Sequence, residues 1–231
     1  MNPSLDSHSP TVVSSRIPSI QMKKSIIRLL RKPRRNKEIN SRGLRNNMPL
    51  RLEVALPGVA LTDAYFACRY ACLRQPLGFP DGAERLEDDS ESIHAWWENE
   101  DGGVVAVGRI HRIPDDSDGS QSDHAGPDAA VCPSFAPLTE SDSDMRPAVQ
   151  IRQMGTLTEW RRQGLASGLV VALEAAAIAH WGAKSGWLQS RVEAIPMYAG
   201  EDWILFGEEY DVKGIGPHFS MWKMLGGEDS D

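Results

Sequence analysis

The chain has 231 residues, 41% hydrophobic and 25% charged, with a formal net charge of −7. That is enough apolar material for one ordinary domain with decorations, and it excludes wholesale disorder. No apolar run reaches the ~20 residues a membrane-spanning helix needs. Three cysteines, Cys68, Cys72 and Cys132, are too few for a disulfide scaffold and lack zinc-site spacing. Cys68 and Cys72, four apart on a predicted helix, read as packing residues in a reducing cytoplasm; no metal site is expected.

The charge is unevenly spread. Residues 1–48 hold 11 Lys or Arg against Asp6 and Glu38, whereas the other 183 residues hold 14 basic and 30 acidic side chains. The acidic body opposes nucleic-acid binding and leaves only residues 1–47 able to carry it. It also favours cationic ligands electrostatically. That arm is rich in Ser, Arg, Asn and Pro, so its composition predicts disorder. Residues 20–31 have the pattern of a short basic amphipathic helix. An inert segment preceding a true start at Met48, an interaction arm and a targeting segment all fit the arm.

Residues 48–226 read as one domain, followed by an acidic tail at 227–231. Residues 51–56 alternate like a strand. Residues 62–74 read as a helix with Thr62 as N-cap and Asp63 in its first turn. Residues 92–97 and 104–113 form a predicted antiparallel hairpin about Asp101-Gly102-Gly103. The stretch 114–147 is acidic and rich in Ser, Gly and Pro, without calcium-loop spacing, and reads as a solvated insertion between two strands. A strand over 149–157 follows, then a helix over 165–181 that Gly182 ends. A strand at 185–189, a short helix at 193–200 and strands at 203–210 and 218–225 complete a mixed α/β sheet. Trp96, Trp97 and Trp203 read as core or sheet-face packing.

The chemistry concentrates where the strand 149–157 meets the helix 165–181. Between them lies Thr158-Glu159-Trp160-Arg161-Arg162-Gln163-Gly164, a basic glycine-containing turn. The first N–H groups of a helix lack intrahelical partners and carry the positive end of its dipole, so this turn is suited to an anion such as a diphosphate. It is neither a P-loop, lacking Gly-Lys-Ser/Thr, nor a dinucleotide fingerprint, lacking the three glycines.

Arg161-x-x-Gly164-x-Ala166 after a strand resembles the signature of the GNAT superfamily of N-acyltransferases. Met154-Gly155-Thr156 resembles the end of that family's fourth strand. Leu188-Gln189-Ser190-Arg191-x-x-Ala194 is similar to its fifth strand and following turn, and Met197-Tyr198-x-x-x-Asp202-Trp203 to its next helix end. Ile215-Gly216-Pro217-His218-Phe219-x-Met221 resembles the Ile-Pro-His ending of a bacterial subgroup. Leu73-Arg74-x-Pro76-Leu77-Gly78 and Asp88-Asp89-x-x-Ser92-x-His94 resemble that subgroup's front half. The likeness spans residues 50–113 and 148–225.

The resemblance implies a mixed, mostly antiparallel sheet of six to seven strands, splayed between the fourth and fifth and flanked by about four helices. It implies acetyl-CoA as acyl donor, with Met154, Gly155 and Thr156 along its pantetheine arm. Arg161, Arg162, Gln163, Gly164, Leu165, Ala166 and Ser167 would surround its diphosphate, and Gln189 on the fifth strand would bind the cofactor through its side-chain amide. It implies transfer to a primary amine, on a small molecule or a peptide, with Tyr198 as general acid. The base is open among His94, His111, His218, Glu91 and Glu193, of which His218 and Glu193 are carried as catalytic candidates. Gln189-Ser190, Asp202 and Gly216 depart from the family pattern. A homodimer is compatible with this reading. The competing reading is a CoA-binding sensor without turnover that uses the basic arm for interaction.

Overall fold

The computed structural model describes residues 49–126, 128–140 and 143–226. The arm at 1–47, its helical segment, Met48 and the tail at 227–231 lie outside the described residues. In chain order the elements are β1 (Arg51–Ala55), α1 (Asp63–Leu73), β2 (Ile93–Glu98), β3 (Val104–Ile113), β4 (Gln121–Ser122), β5 (Val131–Cys132), α2 (Ala136–Glu140), β6 (Ala148–Thr156), α3 (Leu165–Trp181), β7 (Ser185–Arg191), α4 (Ile195–Gly200), β8 (Ile204–Val212) and β9 (Gly216–Met224). Seven strands form one sheet in the order β1-β2-β3-β6-β7-β9-β8, and β4 pairs with β5 in a separate ribbon. Within the large sheet only β6 and β7 run parallel, joined by the crossover helix α3.

Local chemistry sets the helix ends. The Thr62 hydroxyl accepts the Tyr65 N–H at 3.2 Å, so a side chain satisfies one orphan donor of α1. Gly182 takes φ +62° and closes α3. Pro196 sits in the first turn of α4, where its missing N–H costs nothing. Helix α3 packs Leu169, Val170, Leu173 and Ala177 against one sheet face. Leu169 and Leu173 are fully buried, and burial of this kind is worth about 1.5–3 kcal/mol per leucine. Helix α1 covers the other face, packing Tyr65, Phe66 and Cys68 onto Val104 and Val107. No helix among the described residues is long and apolar enough to cross a membrane.

Two features position the site. Strands β6 and β7 pair only over Ala148–Ser185, Val149–Gly186 and Gln150–Trp187. Beyond Gln150, β6 bulges: its register against β3 shifts between Val107 and Arg109, and Gln153 adopts φ +55°. A bulge bends and twists its strand, so β6 diverges while β7 stays paired to β9 as far as Arg191. This is the splay expected between the fourth and fifth strands of the main sheet.

The second feature corrects an expectation. The insertion at 114–147 is not simply a solvated connection. Its acids Asp115, Asp116 and Asp128 are exposed, but Phe135 and Leu138 are buried against Ile113, Ala148, Trp187 and Phe206. The ring centroids of Phe135 and Trp187 lie 5.3 Å apart. Asp123 pairs with Arg74 at 3.2 Å, and its carbonyl accepts from Arg74 at 3.0 Å and Gln153 at 2.8 Å. Two apolar side chains and one ion pair outweigh a polar composition, and the segment closes over the sheet.

Beneath α1 the charges form a built network. Arg109, fully buried, meets Asp88 and Asp89, each at 2.9 Å, and Arg69 meets Asp89 at 2.9 Å. The residues of the Asp88-Asp89…His94 motif thus tie the turn at Glu87–Glu91 to α1, β2 and β3.

Candidate active site

The end of β6, the following turn and the start of α3 form one wall of a cleft. Trp160 is buried and anchors the turn. Arg161 folds back, its Nε donating to the Thr156 carbonyl at 3.0 Å. Arg162 at φ +63° and Gly164 at φ +82° kink the backbone in the left-handed region just before α3. Gly164 supplies no side-chain cap, so the N–H groups of the first turn (Leu165, Ala166 and Ser167) have no side-chain acceptor. They present the positive end of a 17-residue helix.

This wall opens on a cavity of about 580 Å³. Met154, Gly155 and Thr156 line it along β6. Arg161, Arg162, Gly164, Leu165, Ala166 and Ser167 line it at the turn, and Glu193 and Tyr198 face them. A Cβ on Gly155 would stand 2.6 Å from the Cys72 Cβ, so α1 crosses β6 too closely for any side chain there. Two expected residues lie elsewhere. Gln163 is exposed and turns to the Glu159 carbonyl, with Nε2 at 3.5 Å. Gln189 is held by Gln150 at 2.8 Å and donates to the Pro133 carbonyl at 2.9 Å. It faces a second cavity.

That second cavity, about 150 Å³, is bounded by Arg74 and Asp123 on one side and Gln189, Ser190 and His218 on the other. It shares Met154, Arg191 and Tyr198 with the cleft. Tyr198 therefore stands where the two cavities meet. Its ring is 5% exposed and packs edge-on to Trp203, with centroids 6.2 Å apart. No group among the described residues hydrogen-bonds its hydroxyl. Burial pushes its pKa up, so the phenol stays protonated throughout the neutral range.

The candidate bases separate clearly. His94 donates from Nε2 to the Asp89 carbonyl at 2.7 Å, and its Nδ1 faces Tyr65 and Arg69. Burial holds its pKa down at about 4. His111 is buried between Arg109 and Gln121, and that burial keeps it neutral. Neither histidine lines either cavity, and both are structural. Glu91 is exposed at the end of its turn and lines neither cavity. Glu193 is exposed on the cleft rim. His218 lines the second cavity, and its Nδ1 lies 2.8 Å from the Gly216 carbonyl. That contact makes Nδ1 the donor and leaves Nε2 able to accept a proton.

Sequence reasoning assigned no site role to Arg74, Asp123, Arg152 or Gln153, which all line the second cavity. A signal was present: Arg152 stands alone as a charge in the otherwise uncharged strand Val149-Gln150-Ile151-Arg152-Gln153-Met154. Among the described residues, no group of three or more His, Cys, Asp or Glu could hold a metal ion.

The acetyltransferase (GNAT) family model matches residues 60–200, more than half of the chain. The uncharacterized N-acetyltransferase YitI of Bacillus subtilis (strain 168) is 33% identical over 92 residues. That alignment takes in 40% of this chain and 61% of YitI, less than two thirds of the relative's length. Arabidopsis thaliana NAA60, solved in complex with acetyl-CoA, superposes with a TM-score of 0.51 at 10% identity, covering 76% of this chain and 98% of that one. An acyl-CoA N-acyltransferase from Pseudomonas aeruginosa gives 0.50 at 17% identity, covering 76% and 99%. At such identities the solved structures show a shared fold. The family match covers β6, the basic turn, α3 and Tyr198 together, and the chain belongs to the acetyltransferase (GNAT) family.

Proposed function

We propose that the protein is an N-acyltransferase that moves an acetyl group from acetyl-CoA to a primary amine by direct attack in a ternary complex, with Tyr198 as general acid. One observation carries the reading: Tyr198 stands at the meeting of an anion-suited cleft and a separate polar cavity. The cleft fits the donor. It combines uncapped helix N–H groups with Arg161 and Arg162. The diphosphate belongs at the turn Arg161–Ser167, and the pantetheine arm along Met154–Thr156, where β6 has lost its β7 partner. That NAA60 is solved with acetyl-CoA supports the same ligand class for this fold.

Acetyl-CoA supplies an activated acyl carbon; the protein supplies position and protons. The acceptor amine enters from the second cavity and must be deprotonated to attack. His218 faces that cavity with Nε2 available to take the proton, and Glu193 on the rim is the alternative base. Tyr198 keeps its proton because burial disfavours the phenolate. It donates a hydrogen bond to sulfur as negative charge builds on the leaving thiolate, and a proton passed to sulfur is replaced from solvent, which restores the phenol.

The test is isothermal titration with acetyl-CoA, followed by measurement of CoA release with a panel of amines. Micromolar binding with amine-dependent release is expected. Binding that persists without release on any amine would favour the sensor reading, and absence of binding at millimolar ligand would remove both.

A further inference from the structure

Four arginines are buried: Arg69, Arg74, Arg109 and Arg152. Three have carboxylate partners: Arg69 with Asp89, Arg74 with Asp123, and Arg109 with Asp88 and Asp89. Arg152 does not. It is 7% exposed, and no Asp or Glu among the described residues lies within ion-pair distance of its guanidinium. Its hydrogen bond goes from Nη2 to the Ser122 carbonyl. Asp88 and Asp123, the acids that act on it from farther away, are engaged by Arg109 and Arg74. A guanidinium does not shed its proton in a protein. Leaving one buried without a counter-charge is unfavourable, and such groups are normally paired.

Arg152 stands between two cavities: it lines the second cavity, the one that meets the cleft at Tyr198, and on its other side a space of about 440 Å³ that Glu87, Asp88 and Ser122 also border. Arg74 and Arg191 line the same cavity, and Asp123 is the carboxylate set against these three arginines. Arg191 is exposed and ion-paired to no described residue. The balance on this cavity's own wall is therefore positive, although Glu87 and Asp88 border the space on Arg152's other side and the body as a whole is acidic. The expectation of a cationic ligand, drawn from net charge, does not hold for this cavity. The cavity holds on the order of ten water-sized atoms, which suits a small molecule.

From the Arg152 guanidinium, buried without a carboxylate partner on a residue that lines this cavity, we infer that the acceptor is a small amine that also carries an oxyanion, carboxylate or phosphate, and that Arg152 is its counter-charge. The inference rests on the acyltransferase reading, because it takes the second cavity as the acceptor site. A planar guanidinium pairs with either oxyanion through two parallel N–H bonds. With the anion on Arg152, the amine is placed toward Tyr198 and the thioester.

The test uses matched acceptors: an α-amino acid with its amide and parent amine, 2-aminoethyl phosphate with ethanolamine, and a diamine. With acetyl-CoA, the anionic member of at least one pair is expected to exceed its neutral partner in kcat/KM by about thirty-fold or more, the size expected for a buried charge-pair contact. Comparison of the two series decides between carboxylate and phosphate. In Arg152→Gln that ratio is expected to collapse toward one. Thermal melts give a readout independent of turnover. The preferred anion raises the Tm of the wild type but not of Arg152→Gln, and Arg152→Met melts no lower than wild type because it removes an uncompensated charge.

Faster transfer to neutral amines or the diamine, with a ratio insensitive to Arg152, would overturn the inference and leave the acyltransferase standing. An Arg152-dependent Tm shift with anions, but no acetyl transfer to any amine, would keep the anion site and overturn the acyltransferase reading. A fall in Tm for both Arg152 variants without any anion effect would assign Arg152 to holding the Ser122 carbonyl and overturn the inference.

Discussion

Replacing Tyr198 with Phe removes one oxygen and tests the proposed acid with little structural noise. The ring stays buried against Trp203, and the lost hydroxyl has no hydrogen-bond partner among the described residues. A made hydrogen bond contributes about 0.5–1.5 kcal/mol; here none is broken. The variant is therefore expected within about 0.5 kcal/mol of wild type in chemical denaturation. Tyr198→Ala, which empties the ring site, is expected to lose about 3–5 kcal/mol. The effect on turnover is expected to be the reverse of the effect on folding. Losing a positioned proton donor lowers a rate by about 10²–10⁴-fold, or about 3–5 kcal/mol on the barrier. The KM for acetyl-CoA should move far less than kcat, because the proposed diphosphate grip is the turn before α3. Burial raises the phenol's pKa in the folded state above the ordinary value of 10, so the folded chain retains a proton that the unfolded chain loses first. This contribution to stability is fully present below about pH 10 and is lost as pH rises beyond it; Tyr198→Phe lacks that alkaline component. Steady-state kinetics and urea melts at pH 7 and 10.5 check both halves. A kcat within threefold of wild type would refute the acid assignment, and a large loss of stability would refute the claim that the hydroxyl is unpartnered.

Three further outcomes follow from groups around the site. Burial holds His94 at about 4, so the folded chain resists its protonation; stability is full above about pH 6.5 and falls by up to about 3 kcal/mol between there and pH 4. Urea melts across this range should show that component in wild type and not in His94→Gln, and identical slopes would contradict the burial argument. Cys72 borders the cleft, and the Cys68 hydrogen bond draws its pKa down, aided by Arg161. Cys68 and Cys132 are buried and raised. Iodoacetamide mapping by mass spectrometry should therefore find Cys72 modified first and protected by saturating acetyl-CoA; an unchanged rate would place the ligand elsewhere. Asp202 holds φ +65°, a left-handed conformation that costs a non-glycine residue about 1 kcal/mol. Asp202→Gly is expected to raise stability by up to that amount, and a lower Tm would refute the strain argument.

Features set by local chemistry were legible in the sequence. Helix α3 begins and ends where periodicity and Gly182 put it, Thr62 caps α1, and the basic turn, Gln163 apart, borders the cleft. The departure at Asp202 also has a local meaning: the backbone there is left-handed, a conformation that favours glycine. Features set by long-range contact were not legible. His94, His111 and His218 look alike along the chain, each on or beside a strand. Burial under α1 and beside Arg109 removes two of them, and only the sheet order brings His218 to the second cavity. Phe135 and Leu138 were hidden in an acidic stretch because composition averages over them, whereas packing depends on the individual side chains.

The bulge at Gln153 joins these observations into one argument. Strands with unbroken register keep every second residue on one face and stay hydrogen-bonded to both neighbours. Here Arg109 pairs with Arg152 and Val107 with Gly155, so β6 carries an extra residue between them. That residue ends the regular alternation between Arg152, which faces the second cavity, and Met154, which lines both cavities. It also bends the strand away from β7, opening the cleft. A single backbone irregularity thus separates the wall of the cleft from the wall of the second cavity. The insertion closes on the same point, with Gln153 donating to the Asp123 carbonyl and accepting from Arg74 at 2.6 Å. Restoring regular register by deleting Gln153 would be expected to flip Arg152 or Met154 to the wrong face. Both acetyl-CoA binding and the insertion's packing would then be lost together, where independent devices would fail one at a time.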